Sequence, residues 1–160
     1  MIKLFKWALI LVLLYMATLF ARSELSERKA EKKMESIFIS ISSPWDAKQI
    51  RKVCSEWLCN RAKLSPEEIA LGANNDFGPL QNFIEKPKCT YSDGYETGDP
   101  AKERKVFAEC KLKAAFAKGV ATFRIRLIEE PRQPARLFGL LGDTLKLNDF
   151  IEIHVDKKER

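Results

Sequence analysis

The sequence predicts an α+β protein: N-terminal helices packed on one face of a curved antiparallel sheet of four to five strands, preceded by a hydrophobic helix. Three observations predict it. Residues 1–22 carry two lysines and then an unbroken apolar run. Two Ser-Pro pairs, Ser43-Pro44 and Ser65-Pro66, open stretches whose apolar residues recur at spacings of three and four. From Val106 onward the apolar residues recur at every second position instead.

Lys3 and Lys6 form a basic start, and Trp7 to Ala21 is uncharged. As a helix this run would be roughly 22 Å long, against a hydrocarbon core of roughly 30 Å. Leu4 and Phe5 extend it if Lys6 snorkels. Residues 1–22 therefore read as a signal anchor that meets the membrane through residues 4–21, or as a cleaved signal peptide ending at Ala21. Leu19 breaks the small-x-small pattern before such a cleavage site and favours the anchor. Arg22, Arg28, Lys29, Lys32 and Lys33 follow closely, and basic flanks favour the cytoplasm. The signal-like architecture and the four cysteines favour export instead. The expected location is the inner membrane with the domain facing the periplasm, with a periplasmic domain released by cleavage as the alternative.

Residues 23–42 read as a charged helical connector, and residues 43–156 as the folded domain. Ser43, Pro44 and Asp46 predict an N-cap, a first helical residue and a capping-box acid. Ala47, Ile50, Val53, Cys54, Trp57 and Leu58 then predict one amphipathic helix of four to five turns. On a continuous helix Cys54 and Cys59 would lie about 8 to 9 Å apart, too far for a bridge. If the helix ends before Cys59, a pair can form. Ser65-Pro66-Glu67-Glu68 starts a short second helix that stops near Gly72. Asn74 to Pro79 is rich in turn residues, Leu80 to Ile84 reads as a last helical turn, and Pro87 to Tyr91 as a short strand. Ser92 to Arg104, with Gly94, Gly98 and Pro100, reads as a long exposed loop.

Val106 to Glu130 predicts a hairpin around a Lys118-Gly119 turn. That turn sets Phe116 opposite Ala121, Ala114 opposite Phe123, Leu112 opposite Ile125 and Cys110 opposite Leu127, all on the apolar face. On the other face it sets Lys113 opposite Arg124 and Lys111 opposite Arg126. Like charges directly opposite repel, so Lys111, Lys113, Arg124 and Arg126 are the candidate binding residues for an anionic partner. Glu109, Glu129 and Glu152 stand near enough to relieve the repulsion. Cys89 and Cys110 fall on neighbouring strands and are expected to form a disulfide. Ala135 to Leu141 resumes the sheet, Gly142-Asp143 turns the chain, and Leu147 to Val155 is the last strand. In that strand Ile151, Ile153 and Val155 share the apolar face, while Phe150, Glu152 and His154 share the other. The closing DKKER reads as a frayed tail.

The chain is 46% hydrophobic and 31% charged, a globular composition. Its net charge is +6, and Lys3, Lys6 and Arg22 supply three of these charges ahead of the first acid, Glu24. The rest is too mildly basic to imply nucleic acid. A single histidine argues against a multi-histidine metal site. Serine-nucleophile, phosphate-loop, zinc and dinucleotide signatures do not occur, so no catalytic residue and no cofactor is assigned.

The helix after Ser43-Pro44-Trp45-Asp46, the apolar segment before Cys89, the strand through Cys110 and the Phe116-Ala117-Lys118-Gly119-Val120-Ala121 corner resemble the nuclear transport factor 2-like superfamily, the cystatin-like cone fold. Within it, the chain looks like small exported or membrane-anchored bacterial domains of unknown function. The resemblance implies a cavity between sheet and helices, where enzymes of the fold place acids or histidines. Here the expected inward residues are Cys110, Leu112, Ala114, Phe116, Phe123, Ile125, Leu127, Ile151 and Ile153, none of them an acid or base. The expected function is a non-catalytic interaction domain of the envelope that binds a protein or an anionic lipid surface, with self-association left open. The alternative is a small-ligand carrier or a lyase- or isomerase-type enzyme using the cavity.

Overall fold

The computed structural model describes residues 2–60, 62, 64–95, 104–129 and 145–156. The expected strand at 135–141, the turn at 142–143, the middle of the 92–104 loop and all but the first residue of the tail lie outside these residues. What is described is α+β: an N-terminal apolar helix, further helices, and then a curved antiparallel sheet of four strands in the order β1-β2-β3-β4.

One helix, α1, runs without a break from Ile2 to Ser42. The described side chains of its first half are largely exposed, with Trp7 67% and Phe20 68% accessible, and it is the one described helix long and apolar enough to cross a membrane. Its second half presents Ala30, Met34, Ile37, Phe38 and Ile41 to the core at spacings of three and four. The charges of this stretch lie on the remaining faces. Residues 30–42 are thus the main core helix of the domain, and the boundary expected at residue 43 falls inside one packed unit. Helix α1 follows β1 in the opposite direction. The Tyr91 hydroxyl donates to Ser26 O (3.1 Å), the Cys89 N–H to Glu31 Oε1 (3.3 Å), and Lys86 pairs with Glu35 (3.1 Å). Further along, the Phe38 and Phe83 rings meet at 5.9 Å.

Ser43 and Pro44 do not cap a helix; they form the tight connection out of α1. Asp46 is the N-cap of α2 (Ala47–Val53) and accepts from the Lys48 N–H. The single long helix expected from residue 47 is broken at Cys54-Ser55, because this pair meets the edge of β4: Ser55 N–H donates to Leu147 O at 2.7 Å. Ser55 then accepts from Leu58 N–H to start α3 (Glu56–Asn60), and donates to the buried Asn148 at 2.9 Å. Ser65 and Glu68 form the expected capping box of α4 (Pro66–Asp76), which continues through Gly72. Arg51 of α2 holds Glu67 of α4 with two hydrogen bonds.

Gly78 follows α4 at φ +70°, a conformation that favours glycine, and a Cβ there would meet the Ala117 Cβ at 3.3 Å. Strand β1 (Leu80–Tyr95) absorbs both the expected helical turn and the short strand. Its register shifts around Phe83, Glu85 and Lys88 accommodate Pro87, as an edge strand allows. Strands β2 (Arg104–Phe116) and β3 (Gly119–Glu129) turn at Ala117-Lys118, one residue earlier than expected. Phe116 therefore faces Gly119, Ala114 faces Ala121, Leu112 faces Phe123 and Cys110 faces Ile125. A shift of two preserves the faces, so every expected inward residue of this hairpin is buried. Contacts with α4 and its exit hold the turn here. The Ala117 and Lys118 N–H groups donate to Pro79 O and Phe77 O, and the Lys118 ammonium binds the carbonyls of Asn74 and Asn75 at 3.1 and 2.6 Å.

Strand β4 (Leu145–Asp156) departs further from expectation. Register shifts near Asn148 and Ile151 put Phe150, not Ile151, opposite the buried Ile125. Ile153 and Val155 face the helices as expected but are 45% and 44% exposed, because the helical layer stops short of them. The centre of the core is aromatic. The Phe38 ring lies 5.9 Å from Trp45, 6.2 Å from Phe116 and 5.1 Å from Phe123, and Phe77 closes the group against Trp45, Phe116 and Phe123. The Trp45 indole N–H is satisfied by Gly78 O at 2.9 Å.

Candidate functional site

The four cations singled out in the sequence lie on the face of β2 and β3 that points away from the helices. Neither expected confrontation forms: Lys111 faces Arg124, Lys113 faces Thr122 and Arg126 faces Glu109. The two-residue shift thereby brings an acid into the cluster. Glu109 accepts from Arg124 Nη2 and from Arg126 Nε, each at 2.8 Å, with its side chain only 14% exposed. Burial pushes the Glu109 carboxyl up, but the two guanidinium hydrogen bonds and their charges outweigh it and hold the group below its usual range.

The other flank is acidic too. In the β3–β4 register Asp149 stands opposite Arg126 and Glu152 opposite Arg124. Burial raises the Asp149 carboxyl, partly offset by the Phe150 N–H and the Arg126 charge. The Arg126 guanidinium also lies over the Phe107 ring, 5.3 Å from its centroid. Arg124 and Arg126 are therefore cross-strand ties to Glu109, and Arg126 also stands opposite Asp149. The pairing expected of the four cations fails with its register, while Lys111, Lys113, Arg124 and Arg126 share the outer face. A carboxylate kept ionised by two guanidiniums is also a poor proton acceptor at neutral pH. Glu109 was legible as a neighbour on the same face, but its role depends on the register.

All four cysteines are paired. Cys89 and Cys110 stand directly opposite in β1 and β2 and are bridged, with Cα atoms 4.0 Å apart. Cys54 and Cys59 are also bridged, at a Cα separation of 5.8 Å. The break between α2 and α3 makes the second bridge possible. It closes the alternative in which Cys54 is a buried free thiol on a continuous helix. A shallow groove follows α1 past Lys32, Glu35, Ser36, Ile39 and Ser40. His154 is exposed on the outer face opposite Thr122. Among the described residues no group of His, Cys, Asp and Glu is placed to hold a metal ion. No family model, curated protein or solved structure matches the chain.

Proposed function

We propose that this protein is a membrane-tethered, non-catalytic interaction domain of the bacterial cell envelope, held by an uncleaved N-terminal anchor with its domain on the periplasmic side. The continuity of α1 carries the reading: the apolar run and the main core helix are one helix, so the anchor is built into the fold. Two disulfides support an oxidising compartment. The interior supports a binding module over a carrier or lyase, since Phe38, Trp45, Phe77, Phe116 and Phe123 fill the space between helices and sheet. A long helix packed alongside the first strand of an antiparallel meander supports kinship with the nuclear transport factor 2-like cone fold, with α1 as the long helix. The partner in this reading is an envelope protein or the lipid surface itself.

Alkaline carbonate extraction of membranes, combined with protease added to intact spheroplasts, tests the reading. The full-length chain should stay with the membrane and its domain should be digested. Protection of a membrane-bound, full-length product would place the domain in the cytoplasm and overturn the proposal.

A further inference from the structure

The two disulfides are held differently. Cys89 and Cys110 join two paired strands under α1 and are 3% and 0% exposed. Cys54 and Cys59 instead join α2 to α3, and Cys59 is partly exposed. An attacking thiolate can reach the second bridge at Cys59, whereas the fold seals the first.

The second bridge also spans a break that the local sequence does not favour. Ala47, Ile50, Cys54 and Leu58 recur at spacings of three and four straight through it. At Cys54 the backbone is extended, with ψ 152°. The break keeps the Cys54 and Cys59 Cα atoms 5.8 Å apart. A continuous helix would set them about 8 to 9 Å apart, beyond the reach of a disulfide. The bridge and a joined helix therefore exclude each other. The hydrogen bonds made at the break have replacements in a joined helix. Ser55 now donates its N–H to Leu147 O and its hydroxyl to Asn148, and that hydroxyl accepts from the Leu58 N–H. In a joined helix the N–H groups of Ser55, Glu56, Trp57 and Leu58 would meet the carbonyls of Arg51, Lys52, Val53 and Cys54. The Arg51 oxygen, the first of these acceptors, now faces the two sulfurs at 3.4 and 3.8 Å.

We propose that the Cys54–Cys59 bridge is a redox latch, opened by a dithiol reductant, that keeps α2 and α3 apart and the Cys54-Ser55 pair on the edge of β4. One thiolate of the dithiol attacks Cys59 Sγ, the S–S bond breaks, and Cys54 leaves as a thiolate that takes up a proton. The second thiolate of the dithiol then displaces Cys59 from the mixed disulfide, and Cys59 takes up a proton. The dithiol is oxidised to a disulfide as the bridge is reduced to a pair of thiols. With the latch open, α2 and α3 join and Ser55 leaves Leu147 O on the β4 edge. The inference is independent of the anchor reading above.

Nuclear magnetic resonance of the full-length chain in detergent, with only its cysteines carbon-labelled, tests this. Cβ shifts report the redox state of each cysteine, and Cα shifts report its backbone conformation. On addition of dithiothreitol, Cys54 and Cys59 should become thiols at least about tenfold faster than Cys89 and Cys110. While the Cys89–Cys110 bridge is still intact, the Cys54 Cα shift should move from its extended to its helical value, and reoxidation should return it. Opening of both bridges at the same rate, or of Cys89–Cys110 first, overturns the proposal. Selective opening of Cys54–Cys59 that leaves Cys54 extended overturns it as well, because the break would then stand without the bridge.

Discussion

Replacing Phe38 by alanine, beside an Ile39→Ala control, decides whether α1 belongs to the domain core. The two residues are adjacent, but Phe38 is fully buried and Ile39 is 45% exposed. Phe38 touches four aromatic rings at centroid distances of 5.1 to 6.2 Å. Truncating a buried Phe removes its transfer free energy and leaves a cavity, together about 3–5 kcal/mol. Four ring contacts in a fully covered site place Phe38→Ala toward the upper end of that range. Ile39→Ala should cost about 0.5 kcal/mol or less, as surface changes do. Urea titration of the detergent-solubilised chain, followed by tryptophan fluorescence from buried Trp45, reads both values. A loss below about 1 kcal/mol for Phe38→Ala, or equal losses for the two variants, would refute the packing of α1 in the core.

Lys118→Ala should cost about 0.5–1 kcal/mol, since the ammonium binds the last carbonyls of α4; denaturant midpoints read it, and Lys118→Arg should recover part. Asp149 is an acid whose folded pKa is raised, so the folded state favours its protonated form. Its ionisation thus opposes folding as pH rises through the carboxylate range, and Asp149→Asn should raise the thermal midpoint at pH 7, with the gain fading on acidification. No pH dependence of that gain would remove the burial argument. Glu109 behaves oppositely: its depressed pKa contributes stability above the ordinary carboxylate value that is lost as pH falls through the folded one, and Glu109→Gln should flatten that acid-side loss. The Cys89–Cys110 bridge closes a loop worth roughly 3 kcal/mol in the chain-entropy model, so a double alanine variant should lose about that much. Mass spectrometry of unreduced, alkylated protein checks the pairing directly, and alkylation at either residue would contradict it.

The hairpin faces were legible in the sequence because alternation alone assigns them, and a slip of two residues leaves them unchanged. The register was not legible, because it depends on carbonyls of Phe77 and Pro79 about forty residues away in sequence. That one uncertainty changed the cross-strand partners of the four cations and hid the tie of two arginines to Glu109. The break at Cys54-Ser55 was hidden for a similar reason: the local period is helical, and the edge of β4 overrides it. In β4 two bulges exchange Ile151 for Phe150 at the core face, and no side-chain pattern in the strand marks them. The second half of α1 looked like a connector because charges dominate its composition. Ala30, Met34, Ile37, Phe38 and Ile41 nevertheless trace a core stripe through them.

The course of α1 beside the strands restricts the symmetry of any anchored assembly. Since α1 runs alongside β1 in the opposite sense, an anchor crossing the bilayer leaves the strands standing roughly upright on it. Identical copies hanging from one membrane can be related only by rotation about the membrane normal. Joining two sheets through their β4 edges as an antiparallel pair requires a two-fold axis perpendicular to the strands, and that axis would point one anchor away from the lipid. Neighbours in one bilayer therefore cannot extend the sheet symmetrically through β4. An extended segment from a different molecule is free of that restriction, and so is a copy anchored in a facing membrane.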